Sequence, residues 1–108
     1  MNPRSKAFER EMDAGMALMM QDMHAPGYSG DADIDFLAMM IPHHAGAVEM
    51  ARLLLSFGND PATRVLAEEI IAGQTIEIES MTRRLYSLRH SAAGTRREFP
   101  ALGGTRGP

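Results

Sequence analysis

Apolar side chains recur at three- and four-residue intervals in the first quarter of the chain, which is the spacing of one helical face. The residues in this series are Phe8, Met12, Met16, Met19 and Met23. The pattern predicts a first helix from about Ser5 to His24. The glycine- and proline-containing segment 25–30 ends it.

The next apolar stretch predicts a second helix that begins in the acidic segment 31–35 and ends at Gly58. One of the three aspartates in that segment caps the helix, since aspartate is a favoured N-cap residue and suits a helix N-terminus. Pro42 lies inside this helix. Because proline lacks an N–H and crowds the preceding turn, we expect a kink that frees the carbonyl of Ala38.

A third helix is predicted from Pro61, with Asp60 as its cap, to about Arg89. Its predicted inner face consists of Leu66, Ile70, Gln74, Glu77, Met81, Leu85 and Leu88. We therefore expect an all-α fold in residues 1–90, a bundle of three long antiparallel helices. Three helices leave an open groove, which dimerisation would close into a larger bundle. Residues 91–108 are small, polar and rich in Gly, Pro and Arg, which predicts a disordered tail.

The amino-acid composition excludes several classes of function. The chain has 108 residues, enough for one domain, and a formal net charge of −3, which argues against nucleic-acid binding. It contains no cysteine, which excludes disulfides, thiolate zinc sites and iron–sulfur clusters. Ten methionines and four histidines are the departure from ordinary usage.

Apolar runs such as 36–41 and 53–55 are far too short to cross a bilayer. No apolar signal region follows the N-terminus. These features predict a soluble chain that does not insert into a membrane and, as it stands, a cytoplasmic one.

The second predicted helix carries methionine and histidine residues close together. At 3.6 residues per turn, one stripe of this helix is apolar enough that we expect it to face the core. The stripe consists of Phe36, Met40, His43, Ala47, Met50 and Leu54. His44 lies about 100° round from His43, so that Met40 falls between the two imidazoles. Met39 and Met50 flank His43, and two histidines and three thioethers are expected to converge inside the bundle.

These side chains point to a soft metal. A thioether is a neutral, soft ligand that selects Cu(I), and imidazole binds both Cu(I) and Cu(II). If the first helix packs its apolar face on the second, it adds further sulfur as an auxiliary site. The sulfur atoms concerned belong to Met12, Met16, Met19 and Met23.

Glu77 is a carboxylate on an otherwise apolar helical face, where burial is costly without a partner. If the second and third helices pair through the turn near residue 60, His43 and His44 lie nearly level with Gln74 and Glu77. A histidine across the bundle is therefore the expected partner. The contact would be either a salt bridge or a hydrogen bond that orients a metal-binding imidazole.

Two functions other than metal storage or transfer fit parts of this pattern. A methionine stripe often serves only as adaptable core packing, which would make this a metal-free, methionine-rich interaction module. A ferritin-like di-iron oxidase is the enzymatic alternative, and it requires a Glu-x-x-His pair on each of two helices. The sequence contains no such pair.

The motif Met40-Ile41-Pro42-His43-His44, preceded by Asp35-Phe36 and followed by Met50-Ala51, resembles the signature of the domain of unknown function 305 family. A second block, which starts at Leu66, resembles the same family. The matching positions are Met40, His43, His44, Met50, Gln74, Glu77 and Met81. The resemblance implies a ferritin-like helical bundle that binds copper and silver.

We therefore expect a non-enzymatic protein that sequesters copper or hands it on. The expected ligands are the nitrogens of His43 and His44 and the sulfurs of Met40, Met50 and Met81, with Met39 beside them. Glu77 would orient a ligand or bind the metal through oxygen. Characterised relatives are exported proteins of copper tolerance, so a periplasmic or extracellular location is the alternative to the cytoplasm.

Overall fold

The computed structural model describes residues 3–91, which form three α-helices joined by short loops. These are α1 (Pro3–His24), α2 (Ala32–Phe57) and α3 (Pro61–His90). The predicted all-α fold is confirmed, and the helix ends lie within two residues of the predicted ones. Except for Ser91, which caps the end of α3, the tail predicted over 91–108 lies outside the described residues. Among helices α1 to α3, none is long and apolar enough to cross a membrane.

Aspartates begin both later helices. Asp31 caps α2 by accepting hydrogen bonds from the backbone N–H groups of Asp33 and Ile34. Asp60 caps α3 by accepting from the hydroxyl and the N–H of Thr63, and these hydrogen bonds lower the pKa of Asp60. The cap predicted within 31–35 is thus Asp31, as its side chain reaches the first free N–H groups.

Gly58 ends α2 because there is no room for a side chain at this position. Its φ is −86°, an extended conformation open to any residue, whereas a glycine at this position usually adopts a left-handed one. Its N–H donates to the carbonyl of Leu54 at 2.6 Å. A Cβ here would lie 2.8 Å from that carbonyl oxygen and 2.7 Å from the Leu54 side chain, too close for any larger residue.

Helix α2 lies between α1 and α3, which contact each other only slightly. Neighbouring helices are antiparallel, since Phe8 near the start of α1 packs on Phe57 at the end of α2. The buried side chains are Met19, Val48, Ala51, Ala67, Leu85 and Leu88. No large side chain within 3–91 is fully enclosed. The three-helix bundle therefore has a thin core.

Because α1 and α3 lie on opposite sides of α2, two faces of α2 stay uncovered by the described residues. One is polar, and its exposed residues are Ala45, Glu49, Arg52 and Ser56. The other is the apolar stripe from Phe36 to Leu54. The prediction that this stripe faces the core is wrong for Phe36 and His43, which are exposed, while its other members are half-buried. The reason is that helices flank the stripe without covering it.

The apolar side of the bundle continues onto both flanking helices. A small hollow between α1 and α2 is lined by Leu18 and Asp22 together with Ala45 and Glu49, so these α1 residues lie on the polar side. Met16 and Met20, about 160° away on α1, lie on the apolar side. On α3, Glu77 reaches this side through its contact with α2. Leu66 and Ile70 share its helical face and are exposed, so the predicted inner face of α3 is wrong for these two.

We call this surface the open face. Its members are Met12, Met16, Met20 and Met23 on α1, Phe36, Met40, His43, Ala47, Met50 and Leu54 on α2, and Leu66, Ile70, Gln74, Glu77 and Met81 on α3.

The approach of α1 to α2 depends on Gly46. A Cβ at this position would collide with the sulfur of Met19 and lie 3.2 Å from its Cβ, so Met19 would have to move. We expect Gly46→Ala to destabilise the protein by about 1–3 kcal/mol, as overpacked cores do. Gly15→Ala is the matched control, because Gly15 lines the same hollow yet has nothing within 4 Å of an added Cβ. It should stabilise α1 by about 0.5–1 kcal/mol.

Urea unfolding followed by circular dichroism measures both variants. Equal effects of the two substitutions would show that α1 does not depend on this close approach.

Candidate metal centre

A short polar contact joins His44 on α2 to Glu77 on α3. The His44 Nε2 and Glu77 Oε1 atoms are 2.6 Å apart. This contact confirms the register expected from the turn near residue 60. The expectation of a buried Glu77 is wrong, since its side chain is 61% exposed, whereas that of His44 is only 13% exposed. The carboxylate therefore reaches in from the edge of the open face, where burial costs it little.

The other ring nitrogen of His44 has no hydrogen-bond partner in the part of the chain that the structure describes. Nδ1 is buried and lacks a hydrogen bond among the described residues. An ionised carboxylate only accepts hydrogen bonds, so Nε2 must donate to Glu77. Nδ1 of a neutral ring then presents a lone pair, and leaving such a buried acceptor unsatisfied costs about 1–3 kcal/mol. A metal ion or a donor group at Nδ1 would remove this cost.

His43 lies in a different environment. It is exposed on the open face, although its ring centroid is 6.1 Å from that of His44 with the planes tilted by 58°. The expectation that both imidazoles face the interior is therefore right only for His44. Adjacent residues on a helix point about 100° apart, and α3 covers only one of these two directions.

The thioethers divide into two groups around α2. Met40 lies one turn before His44, and Met81 lies one turn after Glu77, so these four residues occupy neighbouring turns where α2 meets α3. We call them the α2–α3 group. Both sulfur-bearing side chains are half-buried.

Met39 and Met50 are also half-buried, and they lie on the side of α2 that faces α1. With the exposed His43 they form a second set, the α1–α2 group. The predicted single cluster is thus two adjacent groups that share α2.

The α1 methionines differ in what they can offer a metal. Met19 is 9% exposed and packs against Gly46, so its side chain is part of the core. Met12 and Met23 are half-buried, and Met16 is exposed. The auxiliary set predicted from sequence omitted Met20, which is 46% exposed on the open face. Its position four residues after Met16 was the signal that could have included it.

Within residues 3–91 there is no group of three or more His, Cys, Asp or Glu side chains that could hold a metal ion. Hard cations and zinc are usually held by oxygen, nitrogen or thiolate ligands in such groups. A metal centre around His44 would therefore need thioether ligands to complete its coordination.

A family sequence profile described as "Domain of unknown function (DUF305)" matches residues 2–85. The match spans α1, α2 and α3 as far as Leu85, and it includes both methionine groups. No curated protein matches the chain.

Proposed function

This chain belongs to the domain of unknown function 305 family, and we propose that it binds copper without catalysing a reaction, to sequester the metal or hand it on. The observation that carries the proposal is the imidazole of His44. One of its nitrogens contacts the carboxylate of Glu77, and the other is buried with no hydrogen-bond partner among residues 3–91. A carboxylate–histidine pair of this kind is the usual way to orient an imidazole toward a metal.

The donors around His44 fit copper better than harder metals. His44 would bind through Nδ1, and Met40 and Met81 would supply thioether sulfur from the neighbouring turns. Both ligand types are neutral and polarisable, a combination that selects Cu(I) and Ag(I). Glu77 would stay outside the coordination sphere and fix the tautomer of His44.

The α1–α2 group is proposed as an auxiliary metal site. Within one copy of the chain His43 is exposed and Met16 on the open face is 40% exposed, so their donor atoms are not enclosed by the three helices. Met39, Met50, Met12 and Met23 offer more sulfur close by. Met19 is the auxiliary residue least suited to this role, because Gly46 and the α1–α2 packing surround its sulfur.

A metal-free interaction module is the second candidate function, and the exposed apolar side chains of the open face favour it. A ferritin-like oxidase has less support, since the sequence has no Glu-x-x-His pair. We keep the homodimer as a proposal, which the next subsection develops. The site of action stays a prediction from sequence, with the cytoplasm first and the periplasm or the extracellular space as the alternative.

A competition titration tests which metal the protein prefers. The full chain, kept reduced, is titrated with Cu(I) and Ag(I) against a chromogenic Cu(I) chelator, and with Zn(II) and Fe(II) in parallel. We expect Cu(I) and Ag(I) to bind at least about 1,000-fold more tightly than Zn(II), because thioethers contribute little to zinc binding. Equal or tighter zinc binding would contradict the proposal, and binding of no metal would favour the interaction module.

Glu77→Gln tests the orienting role. Glutamine keeps the shape and can still accept from His44 Nε2 through its carbonyl oxygen, but it loses the charge that strengthens this hydrogen bond. We expect Cu(I) affinity to fall about tenfold, as typically follows the loss of such a partner. Glu79→Gln, two residues away on the exposed side of α3, is the control and should leave affinity unchanged. If both variants bind like the parent, Glu77 is only a structural partner of His44.

A further inference from the structure

The open face is unusual for a surface in contact with water. Five of its large apolar side chains are 40–59% exposed, and they come from all three helices. They are Met16, Met20, Phe36, Leu66 and Ile70. Along α2 the stripe from Phe36 to Leu54 has no charged residue except for the titratable His43. The opposite face of α2 is ordinary, with an exposed Arg52–Glu49 ion pair.

The three helices bury too little apolar side-chain surface to account for the many apolar residues of the open face. Helices bury an apolar face by packing it against another layer, and α1, α2 and α3 provide only one layer. In residues 3–91 no large side chain is fully enclosed. A second layer on the open face would supply the missing half of the core.

The size of the surface fits a second copy of the chain. A fully exposed large side chain presents roughly 200 Å². The exposed fractions of the five side chains therefore amount to roughly 500 Å² before the half-buried members are added. The largest apolar patch on a typical monomer is about 300–600 Å², and a stable interface takes about 800 Å² from each partner, so the half-buried members of the open face must supply the difference.

The shape of the surface fits a helical partner. At one end of the open face is a hollow of about 320 Å³, lined by Phe36, Leu37 and Leu88 with Asp33 and Arg84 at its rim. A hollow of this size accepts one or two large side chains. In a two-fold dimer each copy offers both the hollow and the projecting side chains, so the same contact forms twice.

We infer that the open face is a homodimer interface, in which α2 of one copy packs on α2 of the partner and two bundles form a two-layer core. His43 and Ala47 lie close to the midpoint of α2, so they fall near the centre of the interface. Ala47 is small enough to let the two helices approach. The dimer does not depend on copper. If the proposed copper function also holds, a second copy brings its own His43 and Met40 to the α1–α2 group.

The test compares two isoleucines of α3. Ile70 is 44% exposed on the open face, whereas Ile76 is 64% exposed and points away from it. Metal-free full-length protein is examined by sedimentation velocity from about 1 to 200 μM. We expect the parent and Ile76→Asp to sediment as dimers, with twice the chain mass of 11.8 kDa. Ile70→Asp should sediment as a monomer, with dimer affinity reduced at least about 100-fold.

Circular dichroism must show the same helix content in both variants, because both sites are on the surface. Phe36→Asp, on another helix of the same face, should repeat the effect of Ile70→Asp. A monomeric parent at 200 μM would overturn the inference, and so would equal dissociation by Ile70→Asp and Ile76→Asp. If a chain that ends at Ser91 dimerises while the full chain does not, segment 92–108 covers the face and the inference is wrong. Since these measurements exclude metal, their failure leaves the copper proposal untouched.

Discussion

Replacing His44 with leucine is expected to lower Cu(I) affinity by about 100-fold or more while making the metal-free protein more stable. The two effects have one cause. His44 is the histidine that the bundle encloses, and its buried Nδ1 has no hydrogen-bond partner within the described residues. Leucine removes this unsatisfied atom, which costs about 1–3 kcal/mol in the parent, and it also removes the nitrogen ligand. Glu77 does not become a buried, unpaired charge, because its side chain is 61% exposed.

The measurement pairs a Cu(I) competition titration with urea unfolding of the metal-free protein. His24→Leu is the control, since His24 is an exposed residue at the end of α1 and should change neither quantity strongly. A His44→Leu variant that loses stability but keeps its affinity would show that His44 is a structural residue. In that case copper, if bound, is held by His43 and the methionines.

Replacing Met40, Met50 and Met81 together with leucine should lower Cu(I) affinity by about 100-fold or more. Leucine is close to methionine in volume, and such swaps usually cost less than about 1.5 kcal/mol each, so the fold should survive. The weak Zn(II) affinity should stay nearly unchanged, because both imidazoles remain and zinc gains little from thioethers. The preference for Cu(I) over Zn(II) should therefore fall by the same factor as Cu(I) affinity.

Met19→Leu is the matched control for the triple variant. Met19 belongs to the predicted auxiliary set, but it is buried against Gly46. It should leave Cu(I) affinity within about threefold of the parent, as expected of a packing residue replaced by one of similar size. If Met19→Leu weakens copper binding as much as the triple variant, the first helix holds the main site. If the triple variant binds Cu(I) like the parent, the sulfurs of Met40, Met50 and Met81 take no part.

The helices were predictable because their ends depend on neighbouring residues. Asp31 and Asp60 cap helices because their carboxylates satisfy N–H groups only two and three residues away. The segment 58–61 forces a tight connection between α2 and α3. Two rigid antiparallel helices joined by a short turn then have little freedom to slide. The level contact between His44 and Glu77 therefore followed from residue numbers alone.

The rotation of α2 was not predictable in the same way. Apart from its polar face at Ala45, Glu49, Arg52 and Ser56, this helix is apolar around most of its circumference. Its hydrophobic pattern therefore fits more than one placement of its neighbours. The sequence placed His43 and Met40 on the side expected to be covered, and in the bundle that side is the open face.

By itself, then, the sequence determined the three helices, their order, the α2–α3 register and the family, because caps, turns and periodicity act over a few residues. Only the tertiary structure decided which side of α2 each neighbour covers. Contacts between residues that are distant in sequence determine this arrangement. The main ones are the packing of Met19 against Gly46 and the burial of Ala67 on α3. As a result His44 is enclosed with one ring nitrogen that no described residue hydrogen-bonds, His43 is exposed, and one predicted cluster becomes two groups.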